Sequence, residues 1–380
     1  MLAACSSSSK SAAGSAQSAT TAPAATSAAS PTTAGSSALS ADQSILTAAE
    51  AFPTHIPQTT PLTSAPPKGK TLVFLQCEIS QCTDIGSGIK AAAAAAGWNE
   101  KILNFQSANP ATLITALKEA LQYKPTAVVF SGLPEVLWQS EIPAYQAAGA
   151  VMIPMFAGPL TTPSPNVIPY NIGATEGTKL SAKQLAAWIA VDSGGKGHIL
   201  LLGVPSFPLL AVYTDAFKQY LPTECPGCTV TEVDATIPQV DSGQVDSVIT
   251  SALTKDPSLN YLSVVDGAFV DGLPSAMAAA GLSGKVKVTG IGADVANETD
   301  ILAGKDMYAF TALATVDSGW VAVDAALRHA EGMPVTDIED GGLPGMLLTK
   351  KTMTANHIQP ANSFNFPSNY GQQFQALWSH

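Results

Sequence analysis

Arginine is almost missing from this sequence. Arg328 is the only one, and the 18 lysine and arginine residues face 29 aspartate and glutamate residues, for a net charge of −11. A chain with this balance offers no basic patch, which argues against nucleic acid as a partner. A binding site without arginine also lacks the usual bidentate partner of carboxylates and phosphates, so anionic ligands are disfavoured.

Long apolar runs are missing as well. No run approaches the 18 residues of a membrane-spanning helix, so any attachment to a membrane has to use a lipid. Apolar residues nevertheless make up 46% of the chain, which is enough for a sizeable core. Without its low-complexity start the chain keeps roughly 310 to 330 residues, a length that predicts two domains.

Signatures of catalysis and of cofactor binding are also lacking. The sequence has no G-x-S-x-G motif and no metal-ligand spacing among its five histidines. Gly86-Ser-Gly88-Ile-Lys-Ala91 matches G-x-G-x-x-A, but a dinucleotide site needs its first glycine directly after a strand, and ten residues separate Gln76 from Gly86. We interpret these glycines as close-packing positions, and we predict a protein that is not an enzyme and binds neither cofactor nor metal.

Short apolar runs alternate with helical segments in two series, which predicts an α/β fold of two doubly wound, Rossmann-like parallel-sheet lobes. The first series has predicted strands at 71–76, 101–105, 126–131 and 151–155, and predicted helices at 84–96, 109–122 and 135–148. The second has predicted strands at 198–203, 229–233, 261–265, 286–291 and 307–311, and predicted helices at 175–191, 209–220, 242–253, 269–280 and 317–330.

The first five residues, ending in Leu2-Ala3-Ala4-Cys5, resemble a bacterial lipobox, in which the cysteine receives the lipid. From there to about Ser40 the chain is almost only Ser, Ala, Thr, Gly and Pro, a composition that predicts a disordered tether over 1–40. A Pro-rich approach segment follows over 41–68. The charged and apolar regions of a signal peptide are missing before Cys5. We therefore expect an upstream leader that is lost because the start codon is assigned too late or because the sequence was trimmed.

Apart from Cys5, the cysteines form two close pairs, Cys77 with Cys82 and Cys225 with Cys228. In an extracytoplasmic protein this pattern predicts two local disulfides. A four-thiolate zinc site would require both pairs to meet in space, which the predicted lobes disfavour. Cys225-Pro-Gly-Cys228 also resembles a redox motif, but it follows a helix and precedes a strand, whereas a redox cysteine begins a helix.

Several segments together resemble the type I periplasmic solute-binding proteins, and within them the sugar-type branch that includes ribose-binding proteins and the ligand domains of LacI-type repressors. The resemblance runs from Lys70 to about Lys350, and its motifs are Lys70–Gly97, Gln146–Gly149 with Val151–Pro154, Gly197–Gly203 with Tyr213–Phe217, Val264–Asp266 with Ala276–Gly281, Val288–Gly292 and Gly319–Gly332.

This resemblance implies two lobes joined by a hinge, with a solute captured between them. The implied first lobe is 69–171 plus 314–342, and the second is 172–313 plus 343–380. The implied protein is a monomeric lipoprotein on the outer face of a bacterial cell membrane that delivers its solute, a sugar by family default, to the permease of an ABC importer. A ligand sensor for a membrane kinase or a chemoreceptor is the alternative.

In open α/β sheets a ligand lies beyond the carboxyl ends of the strands, which selects candidate ligand-binding residues. They are Gln76, Glu78, Gln81, Ser131, Phe156, Phe207, Tyr213, Asp266 and Asp294. The Cys77–Cys82 disulfide would hold Glu78 and Gln81 in a rigid binding loop, or merely clamp a surface loop.

The aromatic candidates would stack on a flat ligand, or they belong to the core. The two aspartates would accept hydroxyl hydrogen bonds, or they cap helices. The sequence departs from the sugar-binding pattern at Phe156 and near Tyr213, where arginines are usual, and at Leu313, where a polar contact is usual. We therefore expect a more apolar and more acidic cleft, suited to a neutral, aromatic or cationic solute.

Overall fold

The structure is a computed structural model, and it describes residues 32–162, 164–173, 175–333, 343, 345–360 and 365–379. The predicted lipidation site Cys5, residues 1–31 of the predicted tether and residues 334–342 at the predicted end of the first lobe lie outside the described residues. Among the described helices, none has the length and apolar character required to cross a bilayer.

The strands of the described chain form two separate sheets. They are β1 (Thr71–Gln76), β2 (Asn99–Asn104), β3 (Ala127–Ser131), β4 (Val151–Met155), β5 (His198–Gly203), β6 (Thr229–Asp234), β7 (Tyr261–Val264), β8 (Lys287–Ala293), β9 (Met307–Ala312) and β10 (Leu347–Thr349). The first sheet is parallel, in the order β2-β1-β3-β4. The second has the order β10-β9-β8-β7-β5-β6, and only β10 runs antiparallel to its neighbour.

Helices cover both sheets. They are α1 (Thr32–Ala49), α2 (Ser80–Ala96), α3 (Pro110–Ala120), α4 (Ile142–Ala148), α5 (Glu176–Asp192), α6 (Pro208–Glu224), α7 (Ile237–Asp241), α8 (Val245–Lys255), α9 (Leu273–Ala279), α10 (Val295–Ala303), α11 (Thr315–Ala330), α12 (Lys350–Ala355) and α13 (Tyr370–Trp378). We call the β2-β1-β3-β4 sheet with its helices the first lobe and the other sheet with its helices the second lobe. The predicted fold class is confirmed.

The central strands show why the sequence forms parallel sheets. All five residues of β3 and all five of β4 are buried, as is the stretch from Leu72 to Leu75 in β1. Strands that are covered on both faces read as continuous apolar runs, and this pattern located them in the sequence. The predicted bounds of β1, β4 and β5 agree with the structure residue for residue.

The segment predicted as one helix over 135–148 is different in the structure. Two 3-10 turns, Glu135–Leu137 and Gln139–Glu141, come first, and only Ile142–Ala148 is α-helical. Pro143 lies in the first turn of α4, where its missing N–H is tolerated, but a proline cannot continue a helix from the preceding turn. The helical pattern therefore persists in the sequence across a break in the structure.

Residues 32–49 form helix α1, which corrects the prediction of a tether to residue 40 followed by an approach segment without regular elements. Leu39, Leu46 and Ala49 recur at helical spacing and, with Ile45, form a stripe packed on the core of the second lobe. The helix packs against α5 and α6. The sequence did not predict this helix because Ser, Ala and Thr dominate the composition up to residue 40 and make the apolar stripe inconspicuous.

Helix α13 packs on a different lobe from the one to which the sequence assigned it. The sequence assigned 343–380 to the second lobe, and β10 and α12 do join that lobe. Helix α13 instead packs on α2 and α11 of the first lobe. Its Trp378 stacks on Trp320 with ring centroids 5.6 Å apart and donates a 2.7 Å hydrogen bond from Nε1 to Asp324. The remaining lobe boundaries stay predictions.

Helices α2 and α11 cross with their backbones in contact. A Cβ at Gly88 would lie 2.0 Å from the carbonyl oxygen of Val316, and one at Gly319 would lie 2.5 Å from that of Ile85. This confirms that the glycines of the G-x-G-x-x-A match serve close packing. The crossing joins the first helix of the first lobe to a helix that is distant in sequence.

We expect Gly88→Ala to destabilise the protein by about 1–3 kcal/mol, because the added methyl group forces two backbones apart. Denaturant unfolding of the purified protein measures the change. Ser87→Ala is the matched control, since Ser87 is exposed on the same turn, and its effect should stay within about 0.5 kcal/mol. Equal stabilities of the two variants would contradict the close crossing.

Candidate functional site

A cavity of about 700 Å³ opens between the two lobes. The first lobe contributes the start of α2, and the second lobe contributes the start of α10 and the segment before α9. The lining residues are Ser80, Thr83, Asp84, Asp271, Asp294, Val295, Ala296, Thr299 and Asp300. These segments follow the carboxyl ends of β1, β7 and β8, which is where open α/β sheets bind ligands.

The loop between β1 and α2 is closed by the predicted disulfide. Cys77 and Cys82 are bonded, and the Sγ of Cys82 lies 3.3 Å from the Oγ of Ser131, a candidate at the end of β3. Both cysteines are buried, so the disulfide fixes the base of the loop rather than its surface. The loop is therefore attached to two neighbouring strands of the first sheet.

The two polar candidates in this loop point to different places. Glu78 is exposed and accepts a 3.0 Å hydrogen bond from the backbone N–H of Ser107, so it stabilises the loop after β2. Gln81 is partly buried, and its side chain lies close enough to Asp266 of the second lobe to oppose the rise in the pKa of that carboxyl group. Of the two, Gln81 reaches across the cleft.

Asp266 begins a 3-10 turn, Gly267–Val270, directly beyond β7. Its carboxylate accepts a 3.0 Å hydrogen bond from the backbone N–H of Ala268, as a helix cap does. Burial, and to a smaller extent the negative charge of Asp294, raise the pKa of Asp266 to about 7, while the N–H of Ala268 and the side chain of Gln81 oppose the rise. This carboxyl group is thus a partly buried acceptor just beyond β7, with Asp294 as a neighbouring like charge.

Asp294 also caps a helix, α10, and accepts hydrogen bonds from the N–H groups of Ala296 at 3.0 Å and Asn297 at 3.1 Å. The capping alternative is therefore realised for both aspartates. A carboxylate has about four acceptor positions, so capping leaves part of each group available to a ligand. Asp294 lines the cavity, whereas Asp266 is not among its lining residues.

Two further acidic residues at the cleft escaped the sequence reasoning. The pKa of Asp271 is raised to about 7 by burial and then by the charge of Asp294, and burial also raises the pKa of Asp84. Neither residue directly follows a strand, so the strand-end rule did not select them. Their position in the first turns beyond β1 and β7 is the signal that could have found them.

Phe156 and Phe207 lie where the two lobes meet. Phe156 has a left-handed backbone with φ of 54°, and its ring fills the space beside Gly173 in the connection between the lobes. Phe207, just before α6, is partly buried and packs against the cores of both lobes. Neither ring is among the residues that line the cavity, so both aromatic candidates pack where the lobes join.

Two other candidates are turned away from the cavity. Tyr213 is completely buried in the core of the second lobe, and its hydroxyl lies 2.6 Å from the Oγ of Ser263. Gln76 is partly buried with its amide oxygen against Gly86 of α2. Of the two roles predicted for the aromatic candidates, Tyr213 therefore has the second, as a core residue. It could influence binding only by supporting β7.

The single arginine of the chain does not reach the cleft. Arg328 is buried in α11, where its Nε donates a 2.7 Å hydrogen bond to Asp324, and its guanidinium donates a second bond to the carbonyl of Thr60. The described residues that line the cavity include four aspartates and neither lysine nor arginine. The cavity is therefore an acidic site, as the sequence predicts.

The second predicted disulfide, Cys225–Cys228, is also present, at the turn between α6 and β6. The backbone N–H of Gly197 donates a 3.2 Å hydrogen bond to the Sγ of Cys228, which ties this turn to the start of β5. Within the residues that the structure describes, no cluster of histidine, cysteine or acidic side chains could hold a metal ion.

The architecture defines a class: a two-lobed α/β binding protein with a cleft between its lobes, the type I periplasmic binding fold. Residues 76–334 match the profile described as periplasmic binding protein domain, and the chain belongs to this family. No curated protein sequence matches it.

Solved structures share the fold at low identity. An ABC sugar transporter subunit from Rhodobacter sphaeroides 2.4.1 is 20% identical, with a TM-score of 0.63, over 75% of this chain and 99% of the other. A 5-methylthioribose transporter solute-binding protein from Thermotoga lettingae TMO is 16% identical, with a TM-score of 0.66, over 84% and 99%. A solute-binding protein from Agrobacterium vitis, bound to α-D-tagatopyranose, is 18% identical, with a TM-score of 0.66, over 77% and 100%.

Proposed function

We propose that this protein is an extracytoplasmic solute receptor that captures a small molecule between its lobes and delivers it to an ABC importer. The observation that carries the proposal is the cavity of about 700 Å³ between the lobes, lined by segments that follow the carboxyl ends of strands in both sheets. This volume falls in the range of small-molecule sites. Membership of the periplasmic binding protein domain family supports the same role.

Lipid anchoring at Cys5 belongs to the same proposal. The lipobox-like Leu2-Ala3-Ala4-Cys5 and the Ser-, Ala- and Thr-rich segment behind it support attachment to the outer face of the cell membrane. Labelling of the natural gene product with a radioactive or clickable fatty acid would test it. Incorporation that disappears in Cys5→Ser is the expected result, and the absence of label in the natural protein would contradict the anchor.

The class of solute follows from the charge of the cleft. The names of the structural relatives mention sugars, so a sugar is the family default. Here the lining contains aspartates without a lysine or arginine, and the only arginine is engaged elsewhere. Carboxylates accept hydrogen bonds from hydroxyl and ammonium groups but repel anions. We therefore propose a neutral polyhydroxylated or a cationic solute.

A thermal-shift screen of the protein against sugars, polyols, nucleosides, aromatic amines and the corresponding acids tests this proposal. A ligand at about 100 times its Kd stabilises the native state by about 2.7 kcal/mol, which raises the midpoint measurably. We expect stabilisation by neutral or amine-bearing compounds and none by sugar acids or phosphates. Stabilisation by anions alone would contradict the acidic site, and silence across the panel would contradict solute capture.

A further inference from the structure

Helix α1 carries a buried acid in the middle of its apolar stripe. Asp42 lies between Leu39 and Leu46 at helical spacing and has no exposed surface. No hydrogen bond of ordinary geometry reaches either of its carboxyl oxygens. Burying an unpaired carboxylate is costly, so a group in this place needs either a counter-charge or a proton.

The groups that face Asp42 come from the two helices on which α1 packs. Glu224, the last residue of α6, is 8% exposed and is the nearest acidic neighbour of Asp42. Lys183 of α5 lies with its Nζ 3.8 Å from the carboxylate of Glu224. Lys183 is partly exposed and is the cation next to these two buried carboxyl groups, so burial and the neighbouring Glu224 favour the protonated form of Asp42.

This contact fastens a segment that spans both lobes. Helix α1 packs on the second lobe, while the residues after it are held on the first: Ile56 donates a backbone hydrogen bond to Gln373, and Leu62 donates one to Leu377 of α13. Residues 32–62 therefore form a strap from one lobe to the other. Along it, Glu50 pairs with Lys351 of α12 at 2.5 Å.

We propose that α1 is a proton-dependent strap, docked on the second lobe while the buried Asp42 carries a proton and released when Asp42 ionises. Its release would detach one connection between the lobes. This device is independent of the identity of the solute, and it requires only the fold and the three side chains Asp42, Glu224 and Lys183.

The sign of the pH dependence follows from burial, which raises the pKa of Asp42 to about 7, and from the adjacent Glu224, whereas Lys183 opposes the shift. The undocked helix exposes Asp42, whose pKa is then near 3.9. Docking therefore binds a proton between about pH 4 and pH 7, and docking weakens as the pH rises through this window. Above about pH 7 the loss is complete.

Hydrogen exchange of the whole chain, followed by mass spectrometry on peptides that cover α1, tests the proposal. After correction for the intrinsic exchange rate, we expect the protection of α1 to fall on the order of 50-fold between pH 5 and pH 8. Asp42→Asn, which carries its own donor for Glu224, should remove the pH dependence and keep α1 protected at pH 8. Asp215→Asn, an exposed acid on α6, should behave as the natural protein does.

Constant protection of α1 in the natural protein from pH 5 to pH 8 would overturn the proposal, and so would an unchanged pH slope in Asp42→Asn. If asparagine does not fit and α1 is unprotected at every pH in that variant, Glu224→Gln provides the second test. It removes the like charge, so α1 should remain protected at pH 8, and loss of protection equal to that of the natural protein would overturn the inference.

Discussion

Asp266→Ala is expected to weaken solute binding about 10- to 100-fold, because a hydrogen bond to a charged group contributes about 1.5–3 kcal/mol. Asp266 is the acid of the second lobe that Gln81 of the first lobe approaches, and this neighbour opposes the rise in the pKa of its carboxyl group. Isothermal titration with a compound that stabilises the protein in the thermal-shift screen measures the loss. The lost helix cap costs only about 1 kcal/mol, so the variant should fold.

One further variant and a comparison of two pH values separate the effect of charge from the effect of hydrogen bonding. Asp266→Asn keeps the helix cap and an acceptor oxygen, so the affinity for a neutral solute should fall only slightly. The affinity for a cationic solute should fall as much as it does in Asp266→Ala. Because the pKa of Asp266 is raised to about 7, a cation should also bind more tightly at pH 8 than at pH 6. Asp241→Ala, an exposed acid in the same lobe, is the control. Natural affinity in Asp266→Ala would remove Asp266 from the site.

Asp324→Ala is expected to destabilise the protein by about 3–5 kcal/mol, because it leaves a buried guanidinium without its counter-charge. The two carboxylate oxygens of Asp324 accept 2.7 Å hydrogen bonds from Arg328 and from the indole of Trp378. Both charged residues are buried, and the group joins α11 to α13. Thermal or denaturant unfolding measures the change, and exchange on α13 should increase.

The combination of Asp324→Leu with Arg328→Met is the decisive comparison. Replacing a whole buried ion pair by apolar residues of similar size is often neutral, so the double variant should recover most of the loss. Asp215→Ala, which removes an exposed partner of Lys218, should change stability by less than about 1 kcal/mol. An Asp324→Ala variant as stable as the natural protein would show that the pair does not hold α13 in place.

The two sheets could be predicted from the sequence because parallel strands leave an unambiguous trace. The apolar runs that became β1, β4 and β5 are short and alternate with helices. The strand-end rule likewise placed Asp294 at the cavity and Asp266 opposite Gln81. What the rule could not decide is orientation, since Tyr213 follows the same pattern and points into the core.

The two terminal helices could not be predicted, for a different physical reason. Helix α1 and helix α13 are fixed by tertiary contacts with surfaces that a sequence pattern does not display. Composition concealed α1, whose apolar stripe contains an acid. The placement of α13 depends on Trp320 and Asp324, which lie some fifty residues earlier in the chain. Asp84 and Asp271 reach the cavity from first turns rather than from strand ends.

A crystal structure of the protein with the compound that stabilises it most would test the central claim directly. We predict one molecule between the lobes, in contact with the carboxylate of Asp266 or Asp294 and with the start of α2, including Gln81. Density for the compound on an outer surface, with the cleft filled only by water at a saturating concentration, would contradict the assignment of this cavity as the binding site.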